Sequence, residues 1–247
     1  MGLIAAGQTD IGMRRKTNQD AIYLNPEKHL FVVADGMGGH NGGDIASQMA
    51  VDLVPKFVLK NYDQDPVKLQ REAVLWANRA IKKHGLENEE LVGMGTTLVS
   101  QLFRGPYLYL ANVGDSRSYL FNNKKLYQLT ADHSLVQEKL NLGFYDRTQA
   151  AEDPQKNVLV RTVGFEDDVD VDVFTYKVHR NDIFLSCSDG LHGKVSEPDL
   201  VYLINKHIPD PAKATKETLQ KTCDVMIDLA NKNGGQDNIS IVLVVAQ

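Results

Sequence analysis

The chain has 247 residues, of which 43% are hydrophobic and 24% are charged, and its 27 Lys and Arg against 32 Asp and Glu give a net charge of −5. This composition is typical of a globular protein, and the absence of a basic excess argues against a nucleic-acid partner. The sequence contains no apolar run long enough to predict a membrane span and no secretory-signal pattern at its start. Its two cysteines favour a reducing compartment. We therefore expect a cytoplasmic protein without a membrane partner.

The first half of the chain predicts a strand, two helices and a second strand. Residues 29–36 are an apolar run that ends in Asp-Gly, which is typical of a buried strand. From residue 44 to 60, and again from 66 to 84, apolar residues recur with helical spacing, and Gly85 can end the second helix. Residues 95–103 are rich in β-branched residues and predict the next strand.

The second half predicts four further strands, over residues 107–114, 116–123, 181–190 and 238–246. A helix is predicted between the last two, with Asp210 as its N-cap, residues 211–233 as its body and Gly234 as its stop. Because strands come in runs, the sequence predicts an α+β fold of antiparallel sheets with helices packed outside them. We expect one domain over residues 1–247.

Four aspartates stand at the boundaries of these predicted strands, namely Asp35, Asp115, Asp189 and Asp237, and a fifth, Asp20, stands just before AIYL (21–24), which predicts one more strand. Each one alone can be a turn residue, because Asp forms local hydrogen bonds that favour turns. Several carboxylates that converge without matching Lys or Arg would repel each other, and a bound cation removes that cost. Oxygen ligands select Mg²⁺, Mn²⁺ or Ca²⁺ over zinc. The spacing alone leaves both interpretations open.

Seven motifs then follow one another along almost the whole chain: RKTNQD (15–20), VVADGMGGHNGGDIAS (32–47), GMGTTLV (93–99), ANVGDSRSYL (111–120), LTADHS (129–134), SCSDGL (186–191) and GGQDNISIVLV (234–244). This series closely resembles the bacterial branch of the metal-dependent type-2C Ser/Thr protein phosphatases. The resemblance implies a four-layer α-β-β-α sandwich, in which two antiparallel sheets are flanked by helices. It also implies hydrolysis of phosphoserine and phosphothreonine monoesters by a hydroxide that bridges two metal ions.

The resemblance further implies a site for two Mn²⁺ or Mg²⁺ ions and, as in many bacterial members, a third, weaker one. Asp35 resembles the carboxylate that bridges the two ions, and the Gly36 carbonyl would bind the second ion. The other metal-site residues implied are Asp189 and Asp237 at the first ion, Asp115 with Asp189 at the third, and Asp20, which would orient metal-bound water. Arg15 resembles the arginine that binds the substrate phosphate, a role that suits its planar guanidinium.

Two positions depart from the family pattern. Gln19 stands where many relatives have Glu, so the second metal site would carry less charge. Met37 stands where animal and plant members have a histidine that is thought to protonate the leaving oxygen. His40 is our candidate for that general acid, although it could instead be a packing residue of its loop, and a metal-bound water could donate the proton.

Residues 140–165 resemble the flap beside the active site of bacterial members, and Gly143, Asp146, Asp153 and Pro154 predict irregular structure there. Ser134 and Arg161 are weaker candidates for the site. The acidic residues of 166–172 alternate with valines, a pattern that favours a charged edge strand over a metal site.

Three functions remain compatible with the sequence. The first is an active phosphatase for phosphoserine and phosphothreonine proteins that a bacterial Ser/Thr kinase has modified, working as a monomer. The second is the same chemistry on a single phosphorylated regulator. The third is a pseudophosphatase-like binding module, which should have lost a core aspartate, and none is lost here. Cys187 is not predicted to be a nucleophile, because the phosphate-binding loop and arginine of cysteine phosphatases do not follow it.

Overall fold

The computed structural model describes residues 2–37 and 42–247. Its strands are β1 (Leu3–Asp10), β2 (Asp20–Asn25), β3 (Leu30–Met37), β4 (Gly95–Thr96), β5 (Leu98–Arg104), β6 (Tyr107–Val113), β7 (Arg117–Asn122), β8 (Lys125–Gln128), β9 (Asp172–Lys177), β10 (Ile183–Cys187) and β11 (Ile239–Ala246). One sheet has the order β1-β11-β10-β7-β8 and the other the order β2-β3-β5-β6-β9, with the short β4 paired to β3. All these pairings are antiparallel.

The two sheets pack face to face through a shared apolar layer. Phe31 and Phe103 from one sheet and Phe184 from the other are buried there. Their rings meet edge to face, with centroids 6.0 Å apart for Phe31 and Phe103 and 5.2 Å apart for Phe103 and Phe184. This is the geometry that aromatic pairs prefer, and the contact of Phe103 with Phe184 joins the two sheets.

Helices cover the outer face of each sheet. The helices of the described residues are α1 (Gly43–Lys60), α2 (Pro66–Leu86), α3 (Leu135–Asn141), α4 (Arg147–Glu152), α5 (Asp189–His192), α6 (Glu197–His207) and α7 (Lys216–Lys232), and α3 and α4 belong to neither outer layer. Helices α1 and α2 share a buried apolar cluster with the β2-β3-β5-β6-β9 sheet, and α6 and α7 share one with the other sheet. The α-β-β-α sandwich expected from the sequence is thus confirmed. No helix within residues 2–37 and 42–247 is long and apolar enough to span a membrane.

Two helix boundaries differ from the prediction. Helix α2 runs through Gly85 to Leu86 rather than ending before the glycine. Asp210 does accept a hydrogen bond from a backbone N–H, that of Ala212 at 3.1 Å, but it caps only a short 3₁₀ turn. The long helix begins six residues later, where Thr215 accepts the N–H of Thr218 at 3.2 Å. Asp210 and Thr215 are thus two successive N-cap residues, and they divide into a 3₁₀ turn and a helix the segment that the periodicity predicts as one helix.

Residues 140–165 are more regular than the sequence predicted. Asp146 accepts the N–H groups of Thr148 and Gln149, at 2.8 and 2.9 Å, and the Gln149 side chain accepts the N–H of Asp146 at 2.9 Å. This reciprocal capping box starts α4 within a stretch that was expected to be irregular. Gly143 and Pro154 favour irregular structure on either side, but the D-x-x-Q spacing of Asp146 and Gln149 stabilises a helix start between them.

The acidic stretch that follows is an edge strand only in its last part. Strand β9 lies at the edge of its sheet, as predicted, but it begins at Asp172. The preceding residues are tied to α2 instead, because the Asn78 amide donates to the carbonyls of Glu166 and Asp167, at 2.9 and 3.2 Å. Lys82 adds an ion pair to Asp167 at 2.8 Å. The backbone of this acidic run is therefore held against α2, while the side chains of Asp167 and Asp168 remain exposed.

Candidate active site

Strands from both sheets end at one edge of the sandwich, and a cleft of about 280 Å³ opens there. Residues that are far apart in the sequence line it together: Arg15, Gln19, Asp35, Gly36, Met37, Thr97, Asp115, Asn157, Leu159, Asp189 and Asp237. Four of the five strand-end aspartates thus reach one cleft, accompanied by the predicted phosphate-binding arginine. The fifth, Asp20, lies directly behind, paired across the strands with Asp35.

Asp35 is held by its backbone. Its N–H donates to the Thr97 hydroxyl at 3.0 Å, and its carbonyl accepts from the Thr97 N–H at 2.8 Å and from the Thr96 hydroxyl at 2.9 Å. The Thr97 hydroxyl also lies 2.7 Å from that of Ser116, which follows Asp115. The backbone at Asp35 is therefore fixed while its carboxylate remains available to the cleft. Sequence reasoning assigned no role to the two threonines, although they form the TT pair of the GMGTTLV motif.

Asp20 connects the two sheets. Its carboxylate is 7% exposed, and one oxygen accepts a 2.7 Å hydrogen bond from the hydroxyl of Ser188, at the end of β10. The other oxygen, Oδ1, is buried and has no hydrogen-bond partner among the described residues. An unsatisfied buried carboxylate oxygen costs free energy, so this one has capacity for a donor that the protein does not supply.

Asp115 sits in the turn between β6 and β7, between two histidines. Gly114 has φ +99°, and a side chain there would lie 2.7 Å from the Cβ of Thr97, so the turn requires glycine. The Gly114 N–H donates to Nδ1 of His133 at 3.1 Å, and His192 Nε2 lies 3.0 Å from the Asp115 carbonyl. Burial lowers the pKa of both imidazoles, that of His192 to about 4. Both rings are therefore neutral near pH 7, and the His192 N–H can donate to the carbonyl.

Asp189 follows β10 as the first residue of α5. The Ser188 N–H donates to the Ser240 carbonyl at 3.1 Å, and the Ser240 N–H returns a bond to the Ser188 hydroxyl at 2.9 Å. A side chain at Gly190 would collide with the Asn238 carbonyl oxygen. Only glycine therefore lets α5 start against the beginning of β11 and bring Asp189 beside Asp237.

Asn238 anchors the loop that carries Arg15. Its amide nitrogen donates to the carbonyls of Ile11 and Thr17, at 2.9 and 3.0 Å, and its amide oxygen accepts the N–H of Gln19 at 2.8 Å. The guanidinium of Arg15 then reaches Asp237 at 2.7 Å. This pair is partly open to solvent, with 48% of the Arg15 side chain and 35% of that of Asp237 exposed. Sequence reasoning missed Asn238, because its three partners lie more than 200 residues away.

The pKa values of four aspartates at the cleft are raised above the ordinary value. Burial raises the pKa of Asp20 and Asp115 to about 7 and that of Asp189 to about 6, and repulsion from neighbouring carboxylates adds to each shift. The same two causes raise the pKa of Asp35 well above its usual value. The hydrogen bond to Asp237, in turn, raises the pKa of Arg15. One arginine does not offset this density of acidic groups, so the cleft without a cation binds protons.

The donor set fits hard divalent cations. The carboxylates that converge in the cleft offer oxygen ligands and repel one another. Behind them, one buried oxygen of Asp20 lacks a hydrogen-bond partner among the described residues. Within the described part of the chain, no three His, Cys, Asp or Glu side chains already form a metal-binding group. The salt bridge between Arg15 and Asp237 is one contact that ion binding would have to exchange. The residues therefore fit the ions by chemistry and position, with local adjustment.

The remaining candidates lie elsewhere. His40 falls outside the described residues. Arg161 does not line the cleft and pairs with Asp172 at 3.2 Å. The Ser134 hydroxyl accepts the Gln137 N–H at 3.3 Å and so caps α3, beside a neighbouring pocket. Cys187 is buried within β10, and burial raises the pKa of its thiol to about 12, which disfavours a nucleophilic thiolate.

Comparison with known proteins identifies relatives across the whole fold. The family model "Protein phosphatase 2C" matches residues 13–237. The serine/threonine phosphatase Stp of Listeria innocua is 38% identical over 245 residues, which are 96% of this chain and 93% of that protein. The crystal structure of the Mycobacterium tuberculosis serine/threonine phosphatase PstP/Ppp superposes with a TM-score of 0.90 at 30% identity and covers 100% of both chains.

A further solved structure bears on the metal. The catalytic domain of the serine/threonine protein phosphatase PstP, in complex with two manganese ions, superposes with a TM-score of 0.84 at 30% identity. The match covers 98% of this chain and 97% of that one.

Proposed function

The chain belongs to the protein phosphatase 2C family, and from that premise we propose how its cleft hydrolyses phosphoserine and phosphothreonine monoesters in proteins. One observation carries the proposal: strand ends from both sheets bring Asp35, Asp115, Asp189 and Asp237 to a single cleft beside Arg15. Every carboxylate that the reaction needs is present, so this chain is an enzyme rather than an inactive relative.

We assign two ions, Mn²⁺ or Mg²⁺, to this cleft. Asp35 would bridge them, Asp189 and Asp237 would complete the first position, and the Gly36 carbonyl would serve the second. When bound, such an ion pair supplies Lewis acidity and lowers the pKa of water enough to provide a nucleophile near neutral pH. Binding would also remove the repulsion that raises the pKa of Asp35 and Asp189.

A third, weaker position would use Asp115 with Asp189. The two histidines that hold the Gly114–Asp115 turn would set the distance between these carboxylates. The unpartnered oxygen of Asp20 makes this residue an acceptor for a water in the cleft, and its other oxygen is kept in place by Ser188. Asp20 would therefore orient the attacking water rather than bind an ion directly.

Arg15 would bind the substrate phosphate. Its guanidinium is half-exposed and already engages one oxygen anion, that of Asp237, in a 2.7 Å contact. A dianionic phosphoryl group offers a stronger partner with two oxygens at the right spacing for the planar fork. Ion binding at Asp237 would thus release Arg15 from that carboxylate, and its guanidinium would then be available to the phosphate.

Finer features of this function are also proposals. His40 would protonate the leaving oxygen, and residues 140–165 would form the flap of a single domain spanning residues 1–247. The physiological substrates would be proteins that a bacterial Ser/Thr kinase has phosphorylated. We place the enzyme in the cytoplasm as a monomer, and its free, buried Cys187 and Cys223 accord with a reducing compartment.

The test is release of phosphate from a phosphothreonine peptide with Mn²⁺, with Mg²⁺ and with EDTA. We expect turnover with either metal, loss of turnover in EDTA, and loss of turnover in Asp35→Asn at saturating metal. Near-normal activity of Asp35→Asn would contradict the two-ion assignment. If the folded wild-type protein releases no phosphate with any metal but binds the phosphopeptide, then the chain is a binding module and the proposal fails.

A further inference from the structure

A second cavity adjoins the cleft on its flap side. It measures about 440 Å³, larger than the cleft's 280 Å³, and shares Asp115, Asn157, Asp189 and Asp237 with it. The two are therefore halves of one depression that meet at the carboxylates. A volume of this size is within the range of ligand sites. The reaction uses the half that contains Arg15 and Asp35, and nothing in it needs the second half, which we call the flap pocket.

Part of the lining of the flap pocket is apolar. Val136 and Leu140 of α3 and Ala150 of α4 supply this apolar wall, and His192 and Gly193 from the end of α5 also line the pocket. Ala150 and Val136 are themselves largely buried. The wall is held by regular helices, because Ser134 and Asp146 cap α3 and α4. The pocket is thus a formed surface that can receive a short stretch of chain.

The flap pocket is lined by basic as well as acidic side chains. Lys156 and Lys194 line it, from the flap and from the segment after α5 respectively. Arg117 also lines it, but its guanidinium is neutralised by Asp132, with contacts from 2.6 to 3.1 Å. The Lys194 ammonium instead meets the amide oxygen of Gln236, which carries no charge. Lys194 therefore keeps its positive charge available at the side of the pocket.

We propose that the flap pocket binds the polypeptide next to the phosphorylated residue and that Lys194 selects an acidic side chain there. The proposal rests on the phosphatase function proposed above. A phosphoprotein whose phosphate lies beside Arg15 must continue past the carboxylates, and an extended chain advances about 3.3 Å per residue. The adjoining pocket lies within a few residues of the phosphate. Its apolar wall packs the chain, and its lysines attract a Glu or Asp side chain.

The experiment moves one glutamate along a phosphothreonine peptide that otherwise has alanine, through the three positions on each side. A parallel set carries lysine at the same positions. For each enzyme we take the ratio of kcat/KM between the Glu and Lys peptides, so that any change in overall activity cancels. We expect wild-type enzyme to prefer glutamate at one position by about 2- to 5-fold, the size of a partly exposed charge pair.

Variants then assign the preference. Lys194→Gln should bring the ratio at that position close to one, and Lys194→Glu should invert it in favour of lysine. The matched control is Lys221→Glu, an exposed residue of α7 outside both cavities, which makes the same charge change and should leave the wild-type ratio intact. Lys156→Glu should reduce the ratio as well.

The outcomes separate the two proposals. Turnover of p-nitrophenyl phosphate, which has no peptide chain, reports the phosphatase function alone. If it is hydrolysed but no position distinguishes Glu from Lys, the acidic subsite is wrong while the function stands. A preference that persists in Lys194→Glu, or that disappears equally in Lys221→Glu, also overturns the assignment to Lys194. If neither p-nitrophenyl phosphate nor any peptide is hydrolysed, then the proposed function itself fails.

Discussion

Two aspartates flank the same strand, β10, and their surroundings are opposite. Asp182 precedes the strand and is fully buried, yet both of its oxygens have donors. The Asn122 amide donates to one, and the His179 N–H donates to the other at 2.8 Å. Asp189, at the other end, is partly exposed to a cleft that it shares with Asp35, Asp115, Asp237 and Arg15.

The difference teaches what distinguishes a structural aspartate from a functional one. Burial is greater at Asp182, so burial alone does not identify a site. The decisive property is the set of donors: Asp182 is satisfied by neutral N–H groups, whereas Asp189 meets other acids and its pKa is raised to about 6. A carboxylate placed among carboxylates is unstable unless a cation joins it, so that end of the strand favours ligand binding over stability.

Replacing Asp182 and Asp189 in turn by asparagine should affect catalysis very differently. Asp189→Asn removes a charged ligand, and we expect kcat to fall about 100- to 1,000-fold, the usual cost of losing one group that stabilises the transition state. Asp182 lies outside the cleft, so Asp182→Asn should leave kcat close to the wild-type value. The measurement is steady-state hydrolysis of a phosphothreonine peptide at saturating Mn²⁺. Equal losses in both variants would show that the two ends do not differ in function.

Arg15 is the positively charged side chain in the cleft that contains Asp189, so replacing it tests how this charge contributes to phosphate binding. Arg15→Ala loses charge-assisted hydrogen bonds to the phosphate, worth about 1.5–3 kcal/mol, and kcat/KM should fall about 10- to 100-fold. Most of the effect should appear in KM, because the phosphate is bound in the ground state as well. Arg15→Lys should recover part of the loss. A fall in kcat with KM unchanged would mean that Arg15 acts only in the transition state.

The effects on stability should be the opposite of those on activity: Asp182→Asn should destabilise the fold more than Asp189→Asn. Asp182→Asn replaces an acceptor of two hydrogen bonds with an amide that cannot accept both, which should lower the free energy of unfolding by about 1–3 kcal/mol. Asp189→Asn removes repulsion from the metal-free cleft and should leave that free energy unchanged or raise it. Urea unfolding in EDTA measures both. A larger destabilisation by Asp189→Asn would contradict the view that acids oppose one another there.

The strand ends were the most predictable part of this molecule. Apolar runs closed by Asp-Gly placed Asp35 near the end of β3 and Asp189 just beyond β10, because hydrophobic pattern and turn residues are local signals. The strand predicted over residues 181–190 ends earlier, at Cys187, and Asp189 begins α5. Helices α1, α2 and α7 of the outer layers followed from periodicity in the same way, whereas α6 was not predicted. The resemblance of seven motifs then assembled these local predictions into one fold, which the structure confirms.

The contacts that orient the site could not be predicted in this way. Asn238 fixes the Arg15 loop across more than 200 residues, and His133 and His192 hold the Gly114–Asp115 turn from two different elements. Such contacts depend on which segments the fold brings together, and no local pattern encodes that. The α4 helix is different, since its capping box was visible as D-x-x-Q and was outweighed by nearby breakers.

The pH dependence of stability should distinguish the functional end from the rest of the protein. Asp20 and Asp115 have pKa values of about 7 in the folded chain, raised by burial and by neighbouring acids above the ordinary value of 3.8. Between those two values the metal-free folded state holds protons that the unfolded chain has lost. Its stability is therefore greatest at low pH and falls as pH rises through about 7.

We expect the metal-free protein to lose about 1 kcal/mol or more between pH 5 and pH 8, and thus about 2–4 °C in Tm per kcal/mol. Saturating Mn²⁺ should reverse the trend, because the ions bind the ionised carboxylates and compete with protons. Differential scanning fluorimetry across this range, with EDTA and with Mn²⁺, makes the measurement. Asp182→Asn should retain the slope, since its carboxylate lies outside the cleft, whereas Asp20→Asn should flatten it. A metal-free protein whose Tm rises steadily from pH 5 to pH 8 would mean that the acids of the cleft do not oppose one another.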